Sequence, residues 1–353
     1  MRDIEITDTF TGCLLGGAVG DALGWPVEFL SMAEIRRKFG PEGVRDFVET
    51  AGGVGAITDD TQMTLFTAEG LLREYRHSIE TGAEPDYVAS VYRAYLRWLH
   101  TQGETSRDPN FRDCLDGELL KMEGLHHRRA TGNTCLSALI AGTMGTVAGP
   151  VNTSKGCGGV MRVAPVGLFC RALPDAGDGR KRGEMAFELG CAAAAITHGH
   201  PLGYLPAGLL AAMVFFLVSD RTLEESISDS MLILVERPEN ERSTLAAMIA
   251  RAVRAGIREE PCPETVERLG GGWVGDEALA ISLYCAMAAK GDFARGVRLA
   301  VNHSGDSDST GAIVGNILGA MLGKGAIPGA WRERVEMREV IEGMGEELPA
   351  VGR

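Results

Sequence analysis

The apolar residues of this chain recur with the spacing of an α-helix along most of its length. In the segment TQMTLFTAEGLLREY, Met63, Phe66, Gly70 and Leu71 fall on one helical face. The segment PDYVASVYRAYLRWL repeats the same spacing. Alternating patterns with hairpin turns are rare, and GVRDFVET is the best candidate for a short extended piece. The sequence therefore predicts an essentially all-α fold.

Glycine is concentrated in segments that also have helical character. The segment GCLLGGAVGDALGWPVEF holds five glycines, and the spacing of Gly12, Gly16, Gly17 and Gly20 resembles that of a close helix crossing. The segments GDEALAISLYCAMAAK and TGAIVGNILGAMLG are rich in alanine or glycine, and we expect them to pack closely as helices. No internal repeat and no certain linker is visible, so one helical domain over residues 1–353 is expected.

Composition limits the classes of partner that the chain can have. With 353 residues and 45% hydrophobic content, the chain is long enough for a large core. It has 35 Lys and Arg residues against 48 Asp and Glu residues, and this formal net charge of -13 argues against a nucleic-acid partner. The apolar run LPAGLLAAMVFFLVSD is too short and too closely bounded by polar residues to span a membrane, so it predicts a buried helix.

The cysteines indicate a reducing compartment. All eight are scattered without a C-x-x-C pair, and most lie among apolar or small residues. This pattern predicts buried, reduced thiols and not a disulfide framework. The N-terminal segment MRDIEITDTF carries acidic residues and lacks the pattern of a signal peptide. We therefore expect a cytoplasmic protein.

Two acidic clusters lie far apart in the sequence, each directly before a helical segment. The first is the run Thr58-Asp59-Asp60, and the second contains Asp306 and Asp308 within GDSDST. Helix capping is one explanation, because Ser, Thr and Asp are favoured N-cap residues and acids suit the positive end of the helix dipole. A cation site is the other, because close carboxylates repel each other unless a cation neutralises them.

The donor types in these clusters favour a hard cation. Carboxylate and hydroxyl oxygens suit Mg²⁺, Mn²⁺ or Ca²⁺, and no thiol or imidazole stands among them to indicate zinc. Four carboxylates exceed what one magnesium site normally takes, and four negative charges would balance two divalent ions. This charge balance indicates a site for two metal ions if the two clusters meet in space.

Further glycine-rich turns offer backbone N–H groups to a phosphate. The turn in ATGNTCLSAL precedes a helix-like run, and the run SKGCGG has too little apolar content to be core. Neither matches a phosphate loop of the Walker type, and no strand-led G-x-G-x-x-G unit is present. The turn THGHP interrupts a helical stretch, which favours a ligand contact for His198.

Six of these motifs, taken together, resemble those of the ADP-ribosylglycohydrolases. They are GCLLGGAVGDALGWPVEF, ITDDTQMTL, TGNTCLSAL, SKGCGGVMRVAPVGL, THGHP and GDSDSTGAIVGN. They stand in the family's order and cover nearly the whole chain. Any one motif would be weak evidence, but the set is highly specific, and it looks closest to the enzymes that reactivate dinitrogenase reductase and to the ADP-ribosylarginine hydrolases.

The resemblance implies a compact, single-domain, all-α fold with two Mg²⁺ or Mn²⁺ ions in a central cleft. It draws the metal ligands from both acidic clusters: Thr58, Asp59, Asp60, Asp306, Asp308 and Ser309. It places Glu28 near the substrate ribose, as a gate or a catalytic group. It assigns substrate contacts to the glycine-rich turns and their neighbours: Gly132, Asn133, Ser154, Gly156, Cys157, Gly158, Gly159, Met161 and His198. Cys157 stands where many relatives carry Asn or another small polar residue.

The resemblance also implies a reaction. This is hydrolysis of the glycosidic bond at C1 of the distal ribose of an ADP-ribosyl group, through an oxocarbenium-like transition state. We predict that Asp60 orients or deprotonates the water, with Glu28 as the competing candidate. The GDSDS form favours arginine as the modified side chain. The expected partner is then an ADP-ribosylated protein, or ADP-ribose itself.

Three other hypotheses stay open from the sequence. The chain could be an immunity or binding protein that neutralises an ADP-ribosyltransferase toxin, although the complete set of acids argues for an active enzyme. It could hydrolyse another ADP-ribosyl linkage, to serine, a nucleic acid or a small molecule. It could also be a metal-dependent phosphohydrolase, because two metals and phosphate-binding turns suit phosphoryl transfer.

Overall fold

The computed structural model describes residues 5–174, 178–238 and 241–352. Those residues form sixteen α-helices, a set of short 3₁₀ turns and one two-stranded hairpin. The helices are α1 Ile6–Gly24, α2 Met32–Phe39, α3 Asp59–Thr81, α4 Tyr87–Thr101, α5 Asn133–Ala141, α6 Ala164–Ala172, α7 Gly179–Ala195, α8 Pro201–Leu217, α9 Leu223–Val235, α10 Arg242–Arg258, α11 Pro263–Leu269, α12 Gly275–Ala289, α13 Phe293–Val301, α14 Ser307–Leu322, α15 Gly329–Arg332 and α16 Arg338–Glu347. The all-α prediction is confirmed.

The strand content is one hairpin. Strands β1, Glu49–Thr50, and β2, Gly53–Val54, pair antiparallel, with Glu49 opposite Val54. The segment GVRDFVET was predicted to be extended, and its last two residues form β1. A pairing this short adds little stability by itself. It shapes the turn that leads into α3.

Helices α1 and α14 pack against each other with backbone touching backbone at their glycines. Gly16 lies against the carbonyl of Gly315, and Gly20 lies against the carbonyl of Gly311. The reciprocal contacts, from Gly311 to Gly20 and from Gly315 to Gly16, are equally close. A Cβ atom at any of these positions would overlap the facing backbone, so the predicted close helix crossing is confirmed.

This contact, which we call the glycine seam, runs antiparallel along both helices. Its further members continue the same four-residue spacing: Gly12 faces Gly319, and Gly24 faces the carbonyl of Ser307. The end of α1 therefore lies beside the start of α14. The second acidic cluster is thus fixed next to the residues that follow α1.

Helix α3 carries the first acidic cluster into the interior. Thr58 caps the helix, and its hydroxyl accepts a hydrogen bond from the backbone N–H of Asp60 at 3.3 Å. The predicted apolar face, including Met63, Phe66 and Leu71, is fully buried. Helix α4 packs closely at Gly70, where an added Cβ would lie 2.9 Å from Cα of Val91. The burial of this face fixes the orientation of the acidic helix end.

The apolar run in α8 is a buried core helix, as predicted. Its residues from Leu202 to Leu217 are all buried, and they pack against α7 through small side chains. Within the described ranges, no helix has both the length and the apolar character needed to cross a membrane. The eight cysteines are unpaired and six of them are buried, which agrees with the predicted reduced thiols.

Two segments whose polar composition predicts surface loops, LPDAGDGRKRGE and REEPCPETVERLGGGWVGD, contain helix. Helix α7 begins at Gly179, inside the predicted loop at 173–184, of which residues 175–177 lie outside the described part. The side chain of Asp178 caps it by accepting from the backbone N–H of Arg180. Helix α11 lies inside the predicted loop at 258–276 and starts with Pro263. In both cases a cap residue or an N-terminal proline outweighs the polar composition.

The glycine seam predicts a large difference between two Gly→Ala substitutions. Gly20→Ala should lower the free energy of unfolding by about 3 kcal/mol, because the methyl group would overlap the carbonyl of Gly311. Gly343→Ala is the matched control in α16, since nothing lies within 4 Å of the added Cβ. It should raise the free energy of unfolding by about 0.5–1 kcal/mol through helix propensity. Urea denaturation checks both, and similar effects of the two changes would contradict the seam.

Candidate active site

The first acidic cluster lies at the buried N-terminus of α3. Asp59 and Asp60 occupy the first turn, where the helix dipole favours negative charge, and each side chain is 2% exposed. The backbone N–H of Asp59 donates to the carbonyl of Arg129 at 3.3 Å. Arg129 in turn forms an ion pair with Glu336. These contacts anchor the acidic end of α3 to two other parts of the chain.

Asp21 of α1 belongs to this cluster, although the sequence analysis gave it no role. Its carboxylate accepts from the backbone N–H of Thr58 at 3.0 Å and from the Thr58 hydroxyl at 2.8 Å. It also accepts from the backbone N–H and the hydroxyl of Thr61. Burial raises the pKa of Asp21 to about 6, and the hydrogen bonds from Thr61 and Thr58 oppose this rise. The feature of the sequence that could have indicated this role is an acidic residue within the apolar, glycine-rich part of α1.

The second acidic cluster lies at the N-terminus of α14. Asp306 caps the helix, and its carboxylate accepts from the backbone N–H of Ser309 at 3.3 Å. The carboxylate of Asp308 accepts from the same N–H at 3.0 Å. All three side chains are buried. Capping therefore explains part of both clusters, yet it leaves further carboxylate oxygens free for other partners.

The two clusters meet in the folded chain. The Ser309 hydroxyl lies 3.4 Å from Oδ2 of Asp60, and the Thr58 hydroxyl lies 3.4 Å from the same oxygen. The other oxygen of Asp60, Oδ1, is buried and has no hydrogen-bond partner. Burial raises the pKa of Asp60 well above its ordinary value, and the charges of Asp21, Asp59 and Asp306 raise it further.

Glu28 reaches the same cluster from the turn that follows α1. Its side chain is half-buried. Burial raises its pKa to about 8, and the charges of Asp306 and Asp59 add to the rise. A hydrogen bond with Asp308 opposes it. The carboxyl group of Glu28 therefore stands beside both acidic clusters.

The donor set fits a hard cation in its chemistry. Within residues 5–174, 178–238 and 241–352, no three Asp, Glu, His or Cys side chains are gathered closely enough to hold an ion by themselves. The carboxylates are instead linked through the hydroxyls of Thr58 and Ser309. The unpartnered oxygen of Asp60 and the mutual repulsion of the acids are what a divalent cation would relieve.

The glycine-rich segment at 154–159 lies directly beside the second cluster. The Cys157 thiol donates to Oδ2 of Asp306 at 2.7 Å, and burial and the neighbouring acid raise the thiol pKa well above its ordinary value. The Ser309 hydroxyl lies 3.8 Å from the sulfur of Met161. The Ser154 hydroxyl accepts from the backbone N–H of Gly156 at 3.3 Å. The segment predicted to contact substrate is thus adjacent to the acids.

The turn that leads into α5 lies beside the first cluster. The backbone N–H of Gly132 donates to Oδ2 of Asp59 at 3.3 Å. The next residue, Asn133, is exposed and lines an open groove of about 430 Å³. Ser154 lines the same groove, and its hydroxyl is 3.0 Å from that of Thr134. The structure therefore connects two of the predicted substrate segments along one groove.

His198 is buried beneath the glycine-rich segment. It is 1% exposed, and its Nδ1 lies 2.9 Å from the Thr197 hydroxyl. A Cβ atom on Gly156 or Gly158 would lie 3.3 Å from its Nε2, so the ring supports this segment from below. Burial, and then the charge of Arg162, lower the pKa of His198 to about 3. The neutral imidazole therefore holds the segment in place.

A larger cavity of about 960 Å³ lies elsewhere, between the start of α1 and the ends of α8, α12 and α14. It contains none of the predicted site residues. Its position at the far end of the glycine seam separates it from the acidic clusters by the length of α14. The site of chemical interest is therefore the region around the two acidic helix ends.

Comparisons with known proteins identify the class to which this fold and site belong. The family model described as ADP-ribosylglycohydrolase matches residues 2–353. A protein of Archaeoglobus fulgidus is 30% identical over 97% of this chain and 96% of its own length. The ADP-ribosylarginine hydrolase Tri1 of Pseudomonas putida (strain GB-1) is 26% identical over 98% of this chain and 78% of its own length.

A solved structure agrees with these sequence matches. It is described as an ADP-ribosylglycohydrolase-related protein complex, with a TM-score of 0.63, 26% identity and 99% coverage of both chains. The chain belongs to the ADP-ribosylglycohydrolase family. It is therefore a hydrolase of the glycohydrolase class. The resemblance found in the sequence is confirmed at the level of the family and the fold.

The buried His198 predicts how stability depends on pH. Its pKa is about 3 in the folded chain against an ordinary 6.5, so the unfolded chain binds this proton first as the pH falls. The stability due to neutral His198 is therefore present above pH 6.5 and is lost on acidification toward pH 3. His198→Gln should reduce the slope of unfolding free energy against pH by about 1.4 kcal/mol per pH unit in this window.

Urea denaturation at several pH values between these limits measures that slope. The matched control is His77→Gln on the exposed side of α3, which should keep the wild-type slope. An unchanged slope in the His198 variant would contradict the buried, neutral assignment.

Proposed function

We propose that this protein hydrolyses the N-glycosidic bond between ADP-ribose and a modified arginine side chain, in a reaction that depends on two Mg²⁺ or Mn²⁺ ions. The observation that carries the proposal is the meeting of the two acidic helix ends at Asp60 and Ser309. The unpartnered oxygen of Asp60 supports a cation or a water at this point. The name of the Pseudomonas putida relative, an ADP-ribosylarginine hydrolase, supports the choice of arginine.

The ligands that we propose for the two ions come from both acidic clusters: Thr58, Asp59, Asp60, Asp306, Asp308 and Ser309. Bound there, the ions would fix the ribose hydroxyls and make a water more acidic. Asp21 would keep the first cluster in place, because it accepts hydrogen bonds from both Thr58 and Thr61. The tether from Asp21 would hold the Thr58 hydroxyl in a fixed direction.

We assign separate catalytic roles to the carboxylates of the site. We assign Asp60 the role of orienting or deprotonating the water, because its Oδ1 is buried and free of hydrogen bonds. Glu28 is the competing candidate, because it stands beside both clusters and is half open to incoming substrate. Hydrolysis passes through an oxocarbenium-like state, and the surrounding carboxylates would stabilise its positive charge.

Substrate binding is proposed for the segments around the groove. The backbone N–H groups of the glycine-rich segment would contact the diphosphate or the distal ribose. The proposed contact residues are the predicted set apart from His198: Gly132, Asn133, Ser154, Gly156, Cys157, Gly158, Gly159 and Met161. His198 would act through this segment, because the protein surrounds its ring.

The cellular setting forms part of the proposal. The eight unpaired thiols favour a reducing compartment, which we take to be the cytoplasm. The relative from Pseudomonas putida is named as a hydrolase, and we propose no ADP-ribosyltransferase partner. The acidic net charge of -13 favours a protein-linked or free ADP-ribosyl substrate over a nucleic acid.

The proposal is tested by product analysis on two conjugates. The purified protein is incubated with arginine-linked and serine-linked ADP-ribosyl peptides, each with Mg²⁺, with Mn²⁺ and with EDTA. We expect metal-dependent release of intact ADP-ribose from the arginine conjugate. Release of AMP or phosphate would instead indicate a phosphohydrolase, and release only from the serine conjugate would overturn the linkage. No release at all from folded, metal-loaded protein would favour a binding protein.

Asp60→Asn separates catalysis from stability. The change should lower kcat by at least about 100-fold, because it removes the proposed base. In EDTA it should raise the thermal midpoint, because it removes a buried charge that Asp21, Asp59 and Asp306 repel. The matched control is Glu80→Gln, at the exposed end of the same helix, which should change neither quantity. Wild-type kcat in the Asp60 variant would exclude Asp60 as the base.

A further inference from the structure

Two aromatic side chains from different loops stack on each other in contact with solvent. The rings of Phe29 and Trp273 have centroids 5.1 Å apart and are inclined by 23°. Phe29 is 71% exposed and Trp273 is 41% exposed. Large aromatic residues usually bury their faces, so a stacked pair with this much exposed surface calls for an explanation beyond packing.

The backbone of Phe29 adds a second, independent observation. Its φ angle is 65°, in the left-handed region that a bulky residue seldom adopts. The loop around it is held by other contacts: the backbone N–H of Leu30 donates to Val27, and that of Met32 donates to the Ser304 hydroxyl at 2.8 Å. Strained backbone of this kind persists where the surrounding structure enforces it, often at binding sites.

Both rings are attached to the acidic site through their neighbours. Phe29 directly follows Glu28 in the chain. The carbonyl of Trp273 accepts from the backbone N–H of Cys157 at 3.1 Å, and Asp306 donates its backbone N–H to Gly271 at 2.8 Å. The aromatic pair therefore bridges the loop that carries Glu28 and the loop that supports the second acidic cluster.

We propose that Phe29 and Trp273 form an aromatic platform that receives the planar guanidinium group of the arginine leaving group. This inference rests on the proposed function. Aromatic faces attract cations, and a guanidinium group stacks on them where a neutral hydroxyl does not. The platform would therefore favour arginine-linked over serine-linked ADP-ribose.

The adenine ring of the substrate is the other planar group that could stack here. The two occupants differ in what they predict. A platform for adenine would contribute equally to the binding of free ADP-ribose, the arginine conjugate and the serine conjugate. A platform for guanidinium would contribute to the arginine conjugate alone. Comparison of the three ligands therefore separates the two assignments.

The test measures binding in the Asp60→Asn background, so that hydrolysis does not consume the ligand. Calorimetry is run with Mg²⁺ present and with each of the three ligands. With both rings intact, the arginine conjugate should bind about tenfold more tightly than ADP-ribose or the serine conjugate. Adding Trp273→Leu or Phe29→Leu should remove that preference and leave the affinity for ADP-ribose within about twofold.

Two control variants test whether a loss of binding preference reflects a general change in structure. Trp273→Phe keeps an aromatic face and should retain most of the preference. Ile257→Ala removes another exposed apolar side chain, on α10, and should change none of the three affinities. Circular dichroism confirms that each variant is folded. Equal losses for all three ligands, or no preference with both rings intact, would overturn the platform.

The outcomes for the platform and for the proposed function are distinguishable. If the wild-type protein releases no ADP-ribose from the arginine conjugate, the proposed hydrolysis fails. The binding preference is measured without turnover, so its presence or absence still decides whether the two rings recognise the guanidinium group.

Discussion

The site depends on the glycine seam between α1 and α14. Backbone meets backbone along these two helices, with Gly16 against Gly315 and Gly20 against Gly311. Each buried glycine costs helix propensity relative to alanine, of roughly 1 kcal/mol. The close contact offsets this cost through dispersion and weak Cα–H to carbonyl interactions along the helices. It also sets the end of α1 beside the start of α14, which a wider helix spacing would prevent.

The acidic site combines groups that are individually ordinary. Asp306, Thr58 and the first-turn acids of α3 are good helix-capping residues, and both helix ends stabilise negative charge. The unusual feature is that two such ends meet in the interior, with Ser309 within 3.4 Å of Asp60. Burial, together with the resulting repulsion, raises the pKa of Asp60 well above its ordinary value.

Much of this could be predicted from the sequence, and the limits have physical causes. The helical period predicted α3 and α4, and the spacing of Gly16 and Gly20 predicted a close crossing. Periodicity could not identify α14 as the partner, because nearly 300 residues separate the two helices. The role of Asp21 was missed for the same reason, since its partners Thr58 and Thr61 lie on another element.

The remaining differences between the predicted and the observed helices depend on single residues, which the composition of a segment does not reveal. The start of α7 depends on the cap by Asp178, and α11 depends on Pro263, while the surrounding residues are polar enough to predict loops. The stacking of Phe29 on Trp273 could not be predicted, because it joins two loops that share no local pattern.

The glycine seam has a further consequence for precision. Where glycine faces glycine there are no side-chain torsions, so the seam has no rotamers to exchange. The distance between the end of α1 and the start of α14, where the second acidic cluster lies, is therefore set mainly by backbone atoms. Only a shift of a whole helix can alter it, and neighbouring elements resist such shifts on all sides. The chain thus holds the second acidic cluster at a fixed distance from Asp21 of α1 through backbone contacts, which have few conformations available to them.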